Sequence, residues 1–304
     1  MPSMPELRAR LGSLQVGDGL PVAIAGVLNL SRESFYPGSV VKPGQVYERA
    51  LRMVEEGASL LDVGAMSTRP GAVVVSAEEE RERVSQAFES LRGIGVPLSV
   101  DTQRASVAEV ALRKGAEVVN DVSGFKSDPG MAKVVAENGA SAILMASWVR
   151  PGETLLARRE GSEAISTLDG VVEALRSSLE LALKAGVDEE KIVVDPGIGF
   201  SVGPQTSSGP QVTEGRWHER DVRVLAGLRR LRVLGRPICV GVSRKSFIGR
   251  ILGLPDPSDR LAGSLGASVM AVVNGAHVLR THDVRETVHA VRVAEAILQM
   301  STTA

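Results

Sequence analysis

PLSVDTQRASVAEVALRKGAEVVND, residues 97–121, reads as a strand, a helix and a second strand in that order. PLSVD is a short apolar run that ends in a carboxylate. RASVAEVALRKG then switches to helical spacing of its apolar residues, and Gly115 supplies a left-handed stop. EVVND returns to the strand pattern and again closes on polar groups. A helix interposed between two strands implies parallel pairing, because a right-handed crossover lays the helix over the sheet.

The same unit recurs along the chain. Further strands are expected at AIAGVLN (23–29), SLLDVG (59–64), SAILMA (141–146), KIVVD (191–195), PICVGVS (237–243) and AHVLRTH (276–282), eight in all. Helical stretches alternate with them, and six end in Gly: Gly57, Gly115, Gly139, Gly186, Gly235 and Gly275. Eight such units without a break in composition predict an α/β fold, a single-domain closed (β/α)8 TIM barrel over 23–300 preceded by an N-terminal extension, 1–22. An open doubly wound sheet is the alternative, weakened because no GxGxxG follows the first strand. Residues 201–218, SVGPQTSSGPQVTEGRWH, form a Gly-, Pro- and Ser-rich insertion expected as a mobile loop after the sixth strand.

Composition narrows the function. Lys plus Arg number 35 against 36 Asp plus Glu, so no basic tract prepares the chain for nucleic acid and any anion site must be local. The lone Cys239, inside PICVGV, reads as a buried, reduced thiol rather than part of a disulfide framework. The opening MPSMPELRARLGSL lacks the apolar core of a signal peptide, and no apolar run is long enough to span a bilayer. A cytoplasmic protein without membrane or nucleic-acid partners is expected.

In a parallel barrel the site lies where strands end. The closing residues here are Asn29, Asp62, Asp101, Asn120, Asp195, Ser243 with Lys245, and Arg280 with His282. Strand periodicity puts Ser243 and Lys245 on one face, and Arg280 and His282 on another. Closure makes the last strand neighbour the first, bringing Arg280 and His282 towards Asn29. Two potential cations beside a neutral oxygen suit a diphosphate and its Mg2+. Asp101, Asn120, Asp195 and Lys245 form a ring of acceptors and donors that suits a flat heterocycle with amide and amino edges, a pterin or a purine. Each also has a plainer reading. Asp62 or Asp101 taken alone is more often a helix N-cap than a ligand, Asn120 and Asp121 can begin a turn, and Phe35, Phe125 and Phe200 can simply pack. His218, His277 and His289 read as structural or exposed.

Six ordered segments resemble the dihydropteroate synthase family: GVLNLSRESF, DVGAMSTRPGA, SVDTQRASVAEVALRKGAEVVNDVSG, DPGIGF, GVSRKSFIG and LRTHDV. The resemblance implies a pterin-binding barrel that joins a 6-hydroxymethyl-7,8-dihydropterin diphosphate to 4-aminobenzoate or a related arylamine and releases diphosphate. It assigns Asp101, Asn120, Asp195 and Lys245 to the pterin, and Asn29, Arg280 and His282 to the diphosphate, with Asn29 the Mg2+ ligand. It places Thr68, Arg69, Pro70, Phe200 and Ser243 on the arylamine side, makes Lys245, Arg280 and His282 catalytic, and implies a homodimer.

Several lid positions depart from the family. Ser31-Arg32-Glu33-Ser34-Phe35 stands where Thr-Pro-Asp-Ser-Phe is usual, Ala65-Met66 replaces Gly-Glu, Met145-Ala146-Ser147 lacks a His, and Ser201-Val202 replaces Gly-Lys. Arg32 and the long insertion lead to an expected tolerance of larger or more anionic arylamines. Two other readings keep the pterin floor: a pterin-dependent methyltransferase, which the retained STRPG and RTH disfavour, and a non-catalytic pterin-binding protein.

Overall fold

The computed structural model describes residues 6–31, 40–42, 44–66, 75–149, 151–153, 167–200 and 217–301. Eight parallel strands follow a two-stranded hairpin, β1 (Arg8–Leu11) and β2 (Leu14–Gly17). They are β3 (Ala23–Asn29), β4 (Leu60–Gly64), β5 (Leu98–Asp101), β6 (Val118–Asp121), β7 (Ser141–Met145), β8 (Ile192–Asp195), β9 (Cys239–Gly241) and β10 (Val278–Thr281). Their order, β8-β7-β6-β5-β4-β3-β10-β9, runs round the barrel. A parallel bridge between Val194 and Ile238 joins its ends, with Val194 N–H donating to Pro237 O at 3.0 Å.

Helices α1 (Val46–Glu55), α2 (Ala77–Ser90), α3 (Ala105–Arg113), α4 (Met131–Glu137), α5 (Leu168–Lys184), α6 (Trp217–Ala226), α7 (Ser246–Leu252), α8 (Leu261–Val273) and α9 (Val284–Ser301) alternate with the strands. All six glycines expected as helix stops have positive φ. Two helical expectations need correction. The stretch 219–235 is not one helix: α6 ends at Ala226 and a 3-10 helix, Leu228–Leu234, continues after Gly227. Gly227 passes so close to Leu168 that a Cβ there would lie 2.6 Å from Leu168 Cδ2. Residues 246–252, for which no helix is expected from the sequence, form α7, which buries Phe247 and Ile248.

Alternation along each strand separates two cores. Ile24, Leu61, Val100, Val119, Leu144, Val194, Val240 and Leu279 point outward and pack under the helices. Ala23, Ala25, Leu60, Val118, Ile143, Val193, Cys239 and Val278 point inward, forming an apolar plug together with Ala9, Leu11 and Val16 of the hairpin. The hairpin therefore belongs to the barrel: Gly12 N–H donates to Ser141 Oγ at 3.0 Å and Ser13 N–H to Glu117 Oε2 at 3.1 Å, both at the starts of strands. Asp18 accepts from Arg232 through both oxygens at 2.8 Å and faces His277 Nε2 at 3.2 Å. His277 is structural, its Nδ1 accepting from Ile238 N–H at 2.9 Å. His289 is exposed, His218 half-buried, and Cys239 is a buried free thiol. No described helix is long and apolar enough to cross a membrane.

Candidate active site

Two residues along from the apolar plug, the same inward parity carries Asp62 on β4, Asn120 on β6, Asp195 on β8 and Arg280 on β10, with Ser99 and Asp101 on β5. The register sets Asp101 beside Asn120 and Gly64 beside Asp101. Asp62 is wholly buried and is the hub. Its Oδ1 accepts from Ser99 Oγ at 2.6 Å, and its Oδ2 accepts from Asn120 Nδ2 at 3.0 Å, from Arg280 Nε at 2.7 Å and from Arg280 Nη2. Arg280 Nη2 also reaches Asp101 Oδ2 at 2.9 Å.

The N-cap readings of Asp62 and Asp101 are thereby replaced. Helix α2 is capped by Ser76 Oγ, which accepts from Glu79 N–H at 3.1 Å, and α3 has no side-chain cap at Arg104. Asp121, by contrast, does begin a turn, accepting from the N–H groups of Ser123 and Phe125. Phe125 packs in the core.

Asp195 closes β8, its Oδ1 accepting from Gly197 N–H at 2.7 Å. Burial pushes its carboxyl above the ordinary range, against Gly197 N–H and the charges of Arg280, Lys245 and Arg220. The following turn is held by Arg220, which donates to Pro196 O at 2.9 Å and Gly197 O at 2.7 Å. Burial likewise raises Asp101. Arg280 stays firmly charged: burial works against it, but Asp62 and Asp101 more than compensate.

Ser243 and Lys245 do not share a strand face as expected, because β9 stops at Gly241 and Arg244 takes φ 55°. The left-handed turn is fixed by the Arg244 guanidinium, which grips both oxygens of Asp283 at 2.7 and 2.9 Å and the carbonyls of Pro257 and Ser258. It still delivers both side chains to the mouth. Ser243 Oγ lies 3.0 Å from His282 Nδ1, and Lys245 Nζ lies 4.2 Å from the Phe200 ring centroid. Burial lowers Lys245 to about 8. Burial, then Arg280, lowers His282 to about 4, so the expected second cation is a neutral imidazole in the ligand-free protein at pH 7.

Nor does Arg280 turn to Asn29. It stands opposite Ala25 in the β10–β3 register, four residues before Asn29, or about 13 Å of strand. Asn29 Oδ1 accepts from Ser31 N–H at 3.0 Å. Thr68, Arg69 and Pro70, the first loop from Arg32 to Phe35, and 201–216 of the insertion lie outside the described residues. Sequence reasoning weighed Asp62 chiefly as a cap and missed Ser99, Arg220 and Arg244 altogether. The inward parity of Asp62 and Ser99 was the available signal; for the two arginines there was none.

Committed hydrogen bonds leave Asp101 Oδ1, Asn120 Oδ1, Asp195 Oδ2 and Lys245 Nζ without a hydrogen-bonding partner among the described residues. Three acceptors and one ammonium at one barrel mouth fit a planar ligand bearing several N–H groups and a carbonyl.

A family model described as "Pterin binding enzyme" matches residues 25–282. The dihydropteroate synthase of Mycobacterium leprae is 38% identical, covering 91% of this chain and 94% of that protein. Among solved structures, the Burkholderia cenocepacia dihydropteroate synthase complexed with 7,8-dihydropteroate superposes with a TM-score of 0.80 at 32% identity, over 98% of this chain and 99% of that one. That of Xanthomonas albilineans with 4-aminobenzoic acid gives 0.79 at 33% identity, over 97% and 99%. With the barrel, its polar inward layer and these likenesses in agreement, the chain belongs to the pterin-binding enzyme family, among its dihydropteroate synthases.

Proposed function

We propose that this transferase joins a 6-hydroxymethyl-7,8-dihydropterin diphosphate to 4-aminobenzoate or a related arylamine, with the residue roles that follow. The carrying observation is the unspent set of Asp101 Oδ1, Asn120 Oδ1, Asp195 Oδ2 and Lys245 Nζ around one end of the barrel. Asp101 and Asp195 accept the pterin's ring and amino N–H groups, Asn120 completes that edge, and the Lys245 ammonium donates to its carbonyl. Phe200 keeps the ammonium over an aromatic face.

In the reaction the pterin methylene C–O bond breaks, diphosphate leaves with the bonding electrons, and the arylamine nitrogen forms the new C–N bond and loses a proton. Arg280 Nη1, uncommitted among the described residues, meets charge developing on the diphosphate, and His282 donates to the same group. Ser243, hydrogen-bonded to His282, stands with Thr68, Arg69, Pro70 and Phe200 on the arylamine side. Among the described residues no cluster of three or more His, Cys, Asp or Glu is placed to hold a metal. The donors present suit a Mg2+ carried mainly by diphosphate oxygens and water, with the amide oxygen of Asn29 as its protein ligand. Bound there, the ion would add to charge neutralisation.

Exposed Met270 on α8 and Val293, Ile297 and Met300 on α9 support a homodimer through these helices, which sedimentation would test. We place the protein in the cytoplasm, where a lone buried thiol stays reduced. Diphosphate release requiring both the dihydropterin diphosphate and 4-aminobenzoate is the expected assay result. Intact pterin binding without turnover would reject the reading.

A further inference from the structure

We propose that Asp62 is a positioning residue for the leaving-group end of this reaction, fixing the Arg280 guanidinium by one edge so that its other edge faces the anion. The inference rests on the proposed function, but its geometry stands independently of it. Arginine carries five N–H donors in a planar fork. Here the Nε and Nη2 edge lies on Asp62, Nη2 also touches Asp101, and Nη1 is left over among the described residues. An Arg held this way is aimed, whereas an Arg tethered only by its aliphatic stem samples many rotamers.

Asp62 is not suited to bind a ligand itself. Four donor groups from Ser99, Asn120 and Arg280 already converge on its carboxylate, as many as it has lone-pair sites, and it is fully buried. Stability alone is a poor reason for such a group, since a buried ion pair seldom outperforms well-packed apolar residues. What Asp62 adds is alignment. Ser99, its neighbour in the β4–β5 register, anchors Oδ1, while Oδ2 ties Asn120 of the pterin pocket to Arg280 of the diphosphate end. One carboxylate thereby sets the distance between the two halves of the substrate site.

The test compares Asp62→Asn, Arg280→Ala and the double variant by calorimetric titration with 6-hydroxymethylpterin and with its dihydropterin diphosphate. Asp62→Asn is expected to weaken the diphosphate ester about tenfold or more and the bare pterin at least fivefold less than that. On the Arg280→Ala background it should add less than about twofold to the ester's loss. Equal losses for both ligands, or full additivity in the cycle, would overturn the proposal, as would an unchanged Asp62→Asn protein. Should Asp62→Asn fail to fold, Ser99→Ala loosens the same carboxylate and must shift the ester-to-pterin ratio in the same direction; no shift there rejects the role. A ligand-free readout is the Asp101 carboxyl titration by NMR, expected to move up in Asp62→Asn as the released Arg280 leaves Asp101, with a downward shift or no movement counting against the role. Wild-type protein binding neither ligand would sink the functional reading while leaving the Asp101 titration to judge Asp62.

Discussion

Asp195 and Lys245 show how burial makes single side chains chemically specific. Asp195→Ala removes Oδ2, the acceptor left for the ligand's N–H groups, along with the Oδ1 bond to Gly197 N–H, leaving the ligand's donors buried and unmatched. The expected loss of pterin affinity is about 1 to 3 kcal/mol, or ~5- to 150-fold, read by calorimetry. Lys245 loses its proton near pH 8 because burial disfavours the ammonium, Arg280 acting in the same direction and Asp195, Asp221 and Asp101 opposing. In the proposed site the ammonium is the form that would donate to the pterin. kcat/KM for the pterin substrate should therefore fall as pH rises through about 8, and a rate–pH profile checks this. In Lys245→Arg that limb should disappear, since arginine stays protonated.

At the scale of elements, the turn after β8 places Asp195 and Lys245 together. Gly199 adopts φ +78°, and a Cβ there would lie 2.5 Å from Lys245 Cδ. Gly199→Ala should displace Lys245 and lower kcat/KM for the pterin substrate about tenfold or more, with a far smaller change in the KM for the arylamine, as steady-state kinetics would show. Arg220 holds the other side of the turn and pairs with Asp221 at 2.9 Å. Arg220→Ala takes a guanidinium from a buried carboxylate and two carbonyls, an expected cost of about 3 to 5 kcal/mol in urea unfolding.

For the whole molecule, the hairpin acts as the floor of the barrel. Leu11 is completely buried in the inner core, so Leu11→Ala should cost about 2 to 5 kcal/mol in chemical unfolding although it lies at the opposite end from the site. The Asp18–Arg232 pair adds a pH dependence. Arg232 holds the Asp18 carboxyl well below its ordinary range, so this stabilisation is complete above about pH 4 and is lost as pH falls further. His277, kept neutral by burial, favours the unfolded chain once pH drops below about 6.5, where only the unfolded form takes up the proton. The stability difference between wild type and Asp18→Asn should be flat from pH 7 to about 5 and narrow below about 4, as unfolding curves across that range would show.

The sequence by itself determined the alternation of strands and helices, the helix stops and the ring of polar strand ends. These are local properties: period two puts Asp62, Asn120, Asp195 and Arg280 inside the barrel just as it puts Leu61, Val119, Val194 and Leu279 outside. Periodicity misjudged Ser243 and Lys245, because the strand stops at Gly241 and the left-handed Arg244 depends on Asp283, 39 residues away. It was likewise silent on the hairpin, whose short strands gain their apolar partners only from the barrel's underside. Only the tertiary structure decided that Arg280 lies on Asp62 and that His282 is neutral. The first is a contact across 218 residues and the second follows from burial beside other cations, and neither leaves a trace in the residues next to it.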